Sequence, residues 1–334
     1  MHAQQPKKAI AIFCTSLEIG GEPITSAYYW EAYQDLFFAL KEQDLDVYFA
    51  TDNASYEGKG RFAVAYTTDE RLKDPSELRA VPNVTVDLVF ERAESEPFAA
   101  TDVTVVNPES LRLIANNKIA IYKQFPKLQP HSFIVNSAAE LLLAVTKTKT
   151  NLVVVKEQEG YGGHAVYIGT KRDIFELLPK NDYPMLVQEF MDTSGGVPGQ
   201  GKGVHDVRLE ICGGQITSYY IRFAKPGSYH SNVHRGGRMK FLSVEQVPDE
   251  LKAAVKKIDK VFAAAPRFYA ADFAHSSQGW KLIELNDYVG LARQKGEEAG
   301  SDESSKTLAR LVAYLASVAH KQSAPKHTPA AVTR

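Results

Sequence analysis

The residues best placed to do chemistry fall in two stretches, one built on a lysine and glycines, the other on paired carboxylates. In the first, the apolar run Leu152-Val153-Val154-Val155-Lys156 leads into Glu157-Gln158-Glu159-Gly160-Tyr161-Gly162-Gly163-His164 and returns through Ala165-Val166. An ammonium at a strand end beside a Gly-rich turn suits a phosphate, because glycine permits conformations in which successive backbone N–H groups converge. A surface hairpin with a solvated lysine fits this segment equally well when it is taken alone. In the second stretch, Phe268-Tyr269-Ala270-Ala271-Asp272-Phe273-Ala274 and Trp280-Lys281-Leu282-Ile283-Glu284-Leu285-Asn286 flank a turn at residues 275–279. Strand alternation puts Glu284 and Asn286 on one face. If Ala274 pairs with Trp280, Asp272 faces Leu282 and lies diagonal to Glu284, within about 7–8 Å. Two carboxylates and an amide oxygen make an oxygen-only set suited to magnesium. A one-residue slip would separate Asp272 from Glu284. The competing reading, solvated carboxylates at a sheet edge, is weaker because both lie in apolar strands where an unpaired charge is costly.

A third cluster runs Val204-His205-Asp206-Val207-Arg208-Leu209-Glu210, then Ile221-Arg222-Phe223-Ala224-Lys225, then Ser231-Asn232-Val233-His234-Arg235-Gly236-Gly237-Arg238. Arginines in strands with a Gly-Gly turn suit phosphoryl oxygens and a substrate carboxylate; surface ion pairs are the plainer alternative. One motif misleads. Gly196-Val197-Pro198-Gly199-Gln200-Gly201-Lys202 matches seven positions of a Walker A loop, but Gly203 stands where the metal-binding hydroxyl belongs, and a strand rather than a helix follows. The expectation there is a mobile Gly-rich lid or loop. The histidines at 205, 230, 234 and 275 lack zinc-like spacing.

These residues need elements to hold them. The chain opens β-α-β, with residues 9–14, 26–41 and 46–50, and further short strands at 86–90 and 103–106 give an open α/β domain over residues 1–107. Helical segments at 109–117 and 138–146 and strands from 152 define a central lobe over 108–187. Strands at 207–212, 215–223 and around the carboxylates, a helix at 250–265 and another at 305–319 define a C-terminal lobe over 188–320. Residues 321–334 read as a flexible tail. At 334 residues, 44% apolar and 24% charged, the chain is globular and multi-lobed. A formal charge of -1 supplies no field for nucleic acid. Cys14 and Cys212, the two cysteines, sit in apolar runs as reduced thiols. With no targeting or membrane segment visible, the expected location is the cytoplasm.

In this order, the segments from about 111 to 291 resemble the ATP-grasp superfamily, most closely its RimK-type glutamate ligases and glutathione synthetases. The resemblance implies an α/β and α+β architecture, the ATP-grasp fold, in which an open α/β N-terminal domain precedes two α+β lobes enclosing the nucleotide. It implies Lys118 and Lys156 on the ATP phosphates, with Gly160, Tyr161, Gly162 and Gly163 in the phosphate loop. Gln188, Glu189 and Phe190 resemble the adenine hinge. Arg208, Arg222, Asn232 and Arg235 fall in segments similar to those near the transferred phosphate and the acceptor, and Asp272, Glu284 and Asn286 resemble the ligands of Mg2+, with Mn2+ as the alternative. The sequence departs from the family at Ala165 in place of a usual Gly, at Asp287-Tyr288-Val289-Gly290 after the metal strand, and in a longer link at 194–203.

The activity so implied joins a carboxylate to an amine through an acyl-phosphate, on an amino acid or short peptide, with neither nucleic acid nor membrane as partner and with a homo-oligomer open. Charge stabilisation and positioning would carry it. A peptide- or protein-modifying ligase, a non-catalytic ATP-binding module and a phosphotransferase are the alternatives. ADP release and product analysis separate them.

Overall fold

The computed structural model describes residues 7–93, 95–160, 165–177, 183–229, 231, 237–291 and 300–322. They fall into two compact units, one made of residues up to Val106 with residues from Leu308 onward, the other centred on Asn107–Val289.

In the first unit the elements are β1 (Lys8–Phe13), α1 (Ala27–Lys41), β2 (Leu45–Ala50), β3 (Tyr56–Gly58), β4 (Arg61–Thr67), β5 (Arg79–Thr85), β6 (Leu88–Glu91) and β7 (Thr104–Val106). β2, β1, β6 and β7 are parallel neighbours. β1 is apolar and buried from Ala9 onward, as a central strand covered on both faces requires. α1 starts where Ser26 caps Tyr29 N and buries Trp30, Tyr33, Phe37 and Leu40 at helical spacing; Phe37 stacks on Phe49 at 5.1 Å. The antiparallel β4–β5 ribbon, unexpected from sequence, carries Pro82 and a positive φ at Asn83 in a mostly exposed strand, so its alternation is weak.

The second unit continues with α2 (Glu109–Ala115), α3 (Lys118–Gln124), β8 (Ser132–Val135), α4 (Ala138–Lys147), β9 (Leu152–Glu157), β10 (Val166–Thr170), α5 (Ile174–Leu177), β11 (Met185–Glu189), β12 (His205–Cys212), β13 (Gln215–Phe223), β14 (Arg238–Leu242), α6 (Asp249–Phe262), β15 (Phe268–Ser276), β16 (Gly279–Asn286) and α7 (Gly300–Lys321), whose second half belongs with the first unit. Two antiparallel sheets result, in the orders β10-β9-β11-β8 and β14-β13-β12-β15-β16.

Alternation fixes what each sheet shows. In the four-stranded sheet Val153, Val155, Met185 and Val187 pack with Leu141 and Val145 of α4, so Val154, Lys156 and Gln188 take the opposite face. In the five-stranded sheet Val207, Leu209, Ile221, Ala271 and Phe273 pack in one core with Leu251, Val255 and Ile258 of α6, leaving Asp206, Arg208, Arg222 and Asp272 on the other face.

The β15–β16 register differs from the one expected. Asp272 pairs directly with Glu284, Phe273 with Leu282 and Ala274 with Lys281, and a bulge at Ile283 absorbs the difference. Its trace in the sequence is Leu282 and Leu285, three apart yet both in the core. The 194–203 segment is also unlike a lid: Val197 is 4% exposed and belongs to the core, and an isolated bridge to Gly201 closes the turn. Cys14 and Cys212 are both buried and outside any disulfide. Among the described residues no helix is long and apolar enough to cross a membrane.

Candidate active site

One cavity in the second unit gathers most of the sequence-singled residues that the structure describes. Val154, Val166, Ile168, Phe190 and Met191 make one apolar part of its wall, and Lys118, Lys156, Asp206, Arg222, Asp272 and Glu284 supply the charge. Such a mixed wall fits a ligand with an apolar ring at one end and anionic groups at the other.

Lys118 opens α3, whose N-cap Asn117 accepts from Ala120 N, and its Nζ donates to Gly160 O at 2.8 Å. Lys156 is the penultimate residue of β9 and is 6% exposed; its Nζ reaches Ile283 O, at the bulge, at 3.4 Å. Burial lowers the pKa of both ammonium groups, that of Lys156 to about 8, against the opposing pull of Glu284. Among the described residues neither lysine has a carboxylate within ion-pair distance. Two buried ammoniums on one cavity wall, without a paired carboxylate, match a polyanionic ligand. Gly160 has φ +120°, and a Cβ there would meet Ala165 Cβ at 2.5 Å, so this turn requires glycine.

At the other side of the charge cluster Arg208 donates to both oxygens of Asp272 at 2.6 Å each, and Arg222 adds a bond to Asp272 Oδ2 at 2.8 Å. Arg222 also grips Asp206 through Nε and Nη2, at 2.6 and 2.8 Å, and Ser231 Oγ donates to the same carboxylate. Burial opposes the charge on Asp272, but the two guanidiniums outweigh it and hold its pKa below the usual carboxylate range. Glu284 behaves oppositely: burial first, and then the charge of Asp272, raise its pKa, with Lys118, Arg208 and Lys156 pulling it back. Asn286 Nδ2 donates to Asp272 Oδ2 at 3.3 Å, leaving its amide oxygen as the other ligand-type atom.

The expected metal set therefore splits. Asp272 is committed to arginines, whereas Glu284 faces the cavity and, with Asn286 and Lys118, also lines a small adjoining pocket. Carboxylate and amide oxygens beside buried cations fit a hard divalent ion. Arg208 does not line the cavity and stands behind Asp272. Gln188, 3% exposed, donates to Ser132 Oγ at 2.9 Å, and the Glu189 carboxylate accepts from Lys149 N at 2.9 Å, so the hinge side chains are tied to their own sheet. Tyr161, Gly162, Gly163, Asn232 and Arg235 lie outside the described residues.

Sequence reasoning passed over Tyr229 and Thr193 in the wall, whereas His205 stood in the third cluster and is found lining the cavity. Tyr229 packs edge-on against Phe190 at 5.2 Å. Thr193 and His205 join there too, with His205 Nδ1 at 2.9 Å from Thr193 O and Nε2 accepting from His275 N at 3.3 Å. An aromatic in a Gly-Ser-Tyr turn was the one legible signal.

This pair of antiparallel sheets, with a cavity that brings Lys118 and Lys156 together, has the ATP-grasp fold. The model of the RimK-like ATP-grasp domain matches residues 108–310, and the chain belongs to that family. A curated relative from Psychromonas ingrahamii, named "Probable alpha-L-glutamate ligase", is 29% identical over 143 residues, 42% of this chain and 43% of the relative, so the matched part spans less than half of that protein. Among solved structures, D-alanyl-alanine synthetase A from Vibrio cholerae superposes with a TM-score of 0.60 at 12% identity, over 95% of this chain and 98% of the other. A RiPP-associated ATP-grasp ligase from Chryseobacterium gregarium, solved with ADP and a leader and core peptide, gives 0.57 at 13% identity, over 92% and 96%.

Proposed function

We propose that this chain is an ATP-dependent carboxylate-amine ligase that makes a peptide-like amide bond on an amino acid or short peptide. The observation that carries the reading is Lys118 and Lys156, buried on the wall of a cavity whose remaining lining is apolar at one end and carboxylate-bearing at the other. Such a site holds adenine against Val154, Val166, Ile168 and Phe190 and the phosphates against the ammoniums. Glu284, with Asn286 and Asp272 beside it, would hold magnesium or manganese. Bound ATP with its metal supplies a transferable phosphoryl group.

The chain's own residues position and neutralise. Lys118 and Lys156, both buried, offset phosphate charge where such charges count for more than in bulk water. Arg222 presents a guanidinium to the transferring group. Asp206 and Asp272 fix its orientation from behind, and Arg208 secures Asp272 in turn. The carboxylate is activated as an acyl-phosphate, the amine displaces phosphate, and the balance is an amide, ADP and phosphate. Asn232 and Arg235 belong to this role by their place after Ser231.

The near-zero formal charge of -1 supports small or peptide substrates over nucleic acid, and a cytoplasmic, membrane-free setting is part of the same proposal. The test is ADP release across amino acids and short peptides, singly and in pairs, with mass analysis of the product. Amide formation that depends on two substrates together is expected. ADP released with a stable phosphate ester, or no nucleotide binding at millimolar ATP, would overturn the reading.

A further inference from the structure

Asn107, the first residue of the second unit, lies outside the site just described and yet holds the strands that carry it. It follows β7 directly and is 8% exposed. Its side-chain amide is engaged at both atoms. Nδ2 donates to Phe268 O at 2.5 Å and to Asp287 O at 2.7 Å, and Oδ1 accepts from Phe268 N at 2.6 Å.

The places of these partners give the amide its task. In the β15–β16 ladder Ala270 pairs with Asn286, so the same register would next set Phe268 against Tyr288. Instead β16 ends at Asn286 and the chain bends at Asp287. Phe268 is 0% exposed, and a backbone N–H and carbonyl left open there would be costly. Asn107 supplies the missing edge, one donor and one acceptor where a strand residue would have stood, and gives its second amide hydrogen to Asp287 O.

That carbonyl belongs to the residue after Asn286. Asn286 Nδ2 donates to Asp272 Oδ2 at 3.3 Å, and Asn286 lines the small adjoining pocket with Glu284 and Lys118. The bond from Asn107 therefore fixes the backbone on the C-terminal side of a candidate metal ligand. We propose that Asn107 is a positioning residue for the metal end of β16: by tying Asp287 O to the start of β15, it holds Asn286 beside Asp272 and Glu284, where its amide oxygen can join a divalent cation. Loss of a group that orients a metal's ligands typically weakens the metal by roughly ten- to a hundred-fold. Asn107 has this role only if Glu284 and Asn286 take the metal of the ligase reading.

The test is the affinity of a non-hydrolysable ATP analogue for the full chain, measured with magnesium and again in EDTA. The ratio of the two reads the metal. In the unmodified chain magnesium should tighten binding roughly ten-fold or more. Asn107→Ala should cut that gain to about three-fold or less, with the affinity in EDTA within about two-fold of before. A residue that only stabilises the fold would lower the melting temperature and leave the ratio as it was. Asn286→Ala should show the same loss, and adding Asn107→Ala to it should change the ratio no further, because both act on one ligand. Since Asn107→Ala leaves buried backbone groups of Phe268 and Asp287 open, Asn107→Ser, which keeps a hydroxyl in the gap, serves as the second variant and should show an intermediate loss. A magnesium gain that survives both Asn107 substitutions, an equal loss of affinity in EDTA, or losses that add in the double variant would overturn the proposal, as would an unmodified chain that binds the analogue with no gain from magnesium. Failure of the ligase reading shows separately, as an unmodified chain that binds no analogue.

Discussion

Asp272 and Glu284 are direct partners across the β15–β16 ladder, yet their carboxyls sit in opposite electrostatic settings. Asp272 is held as an anion by Arg208 and Arg222, whereas burial and its neighbour's charge raise the pKa of Glu284 and make its ionisation less favourable. Paired acids whose pKa values are pushed apart mark a site where the two carboxylates have separate work.

The two therefore respond oppositely to neutralisation. Asp272→Asn leaves Arg208 without its carboxylate and buried Arg222 with Asp206 alone, and should cost about 3 kcal/mol of stability. Glu284→Gln removes a desolvated charge and should leave the metal-free melting temperature unchanged or raised, while ADP release falls roughly a hundred-fold or more. Melting in EDTA beside an ADP assay decides it. A Glu284→Gln protein that melts early but keeps its turnover would make Glu284 structural.

Lys156 gives a pH signature. Its folded pKa of about 8 lies below the value of an unfolded lysine, so the native state carries an unfavourable buried charge below about 8, and that penalty fades as pH rises toward the unfolded value near 10.4. Lys156→Met should raise the apo melting temperature, by on the order of 3 kcal/mol of stability below pH 8, with the gain shrinking at higher pH. Binding of an ATP analogue to the unmodified protein should weaken as pH climbs through about 8, as the ammonium is lost. Calorimetry at several pH values reads both effects.

Substitution should rank the lysines by place. Lys118→Ala and Lys156→Ala should each weaken the ATP analogue roughly ten-fold or more, because each removes a cation from the cavity wall. Lys202→Ala should change it little, since Lys202 lines a different cavity. The reverse order in a titration would restore a Walker-type role to the 196–202 motif.

Gly196 tests how firmly the 194–203 segment is held. Its φ is +79°, and a Cβ would fall 1.9 Å from Gly201 O, a backbone atom that cannot swing aside. Gly196→Ala should lower stability by on the order of 2 kcal/mol or more, with ATP-analogue binding retained. An unchanged melting temperature would mean that the segment stands free of the core.

The sequence by itself determined the elements that carry the chemistry and the kinds of residue on them. Apolar runs and period-two alternation located β9 and β13 with the bounds found in the structure, and they placed Lys156 at a strand end beside a Gly-rich turn, because strand faces are a local property of the chain. The motif order from Lys118 to Asn286 carried the family resemblance. Tertiary structure decided the register of Asp272 against Glu284, since the odd spacing of Leu282 and Leu285 does not by itself place a bulge, which is fixed by which leucines the α6 core accepts. It also decided that Asp272 answers to two arginines from neighbouring strands, and that a glycine run resembling a mobile lid is bound to the core by Val197. Those outcomes join residues tens of positions apart, and the free energy that selects them, burial and charge pairing, exists only once the sheets have closed on their core.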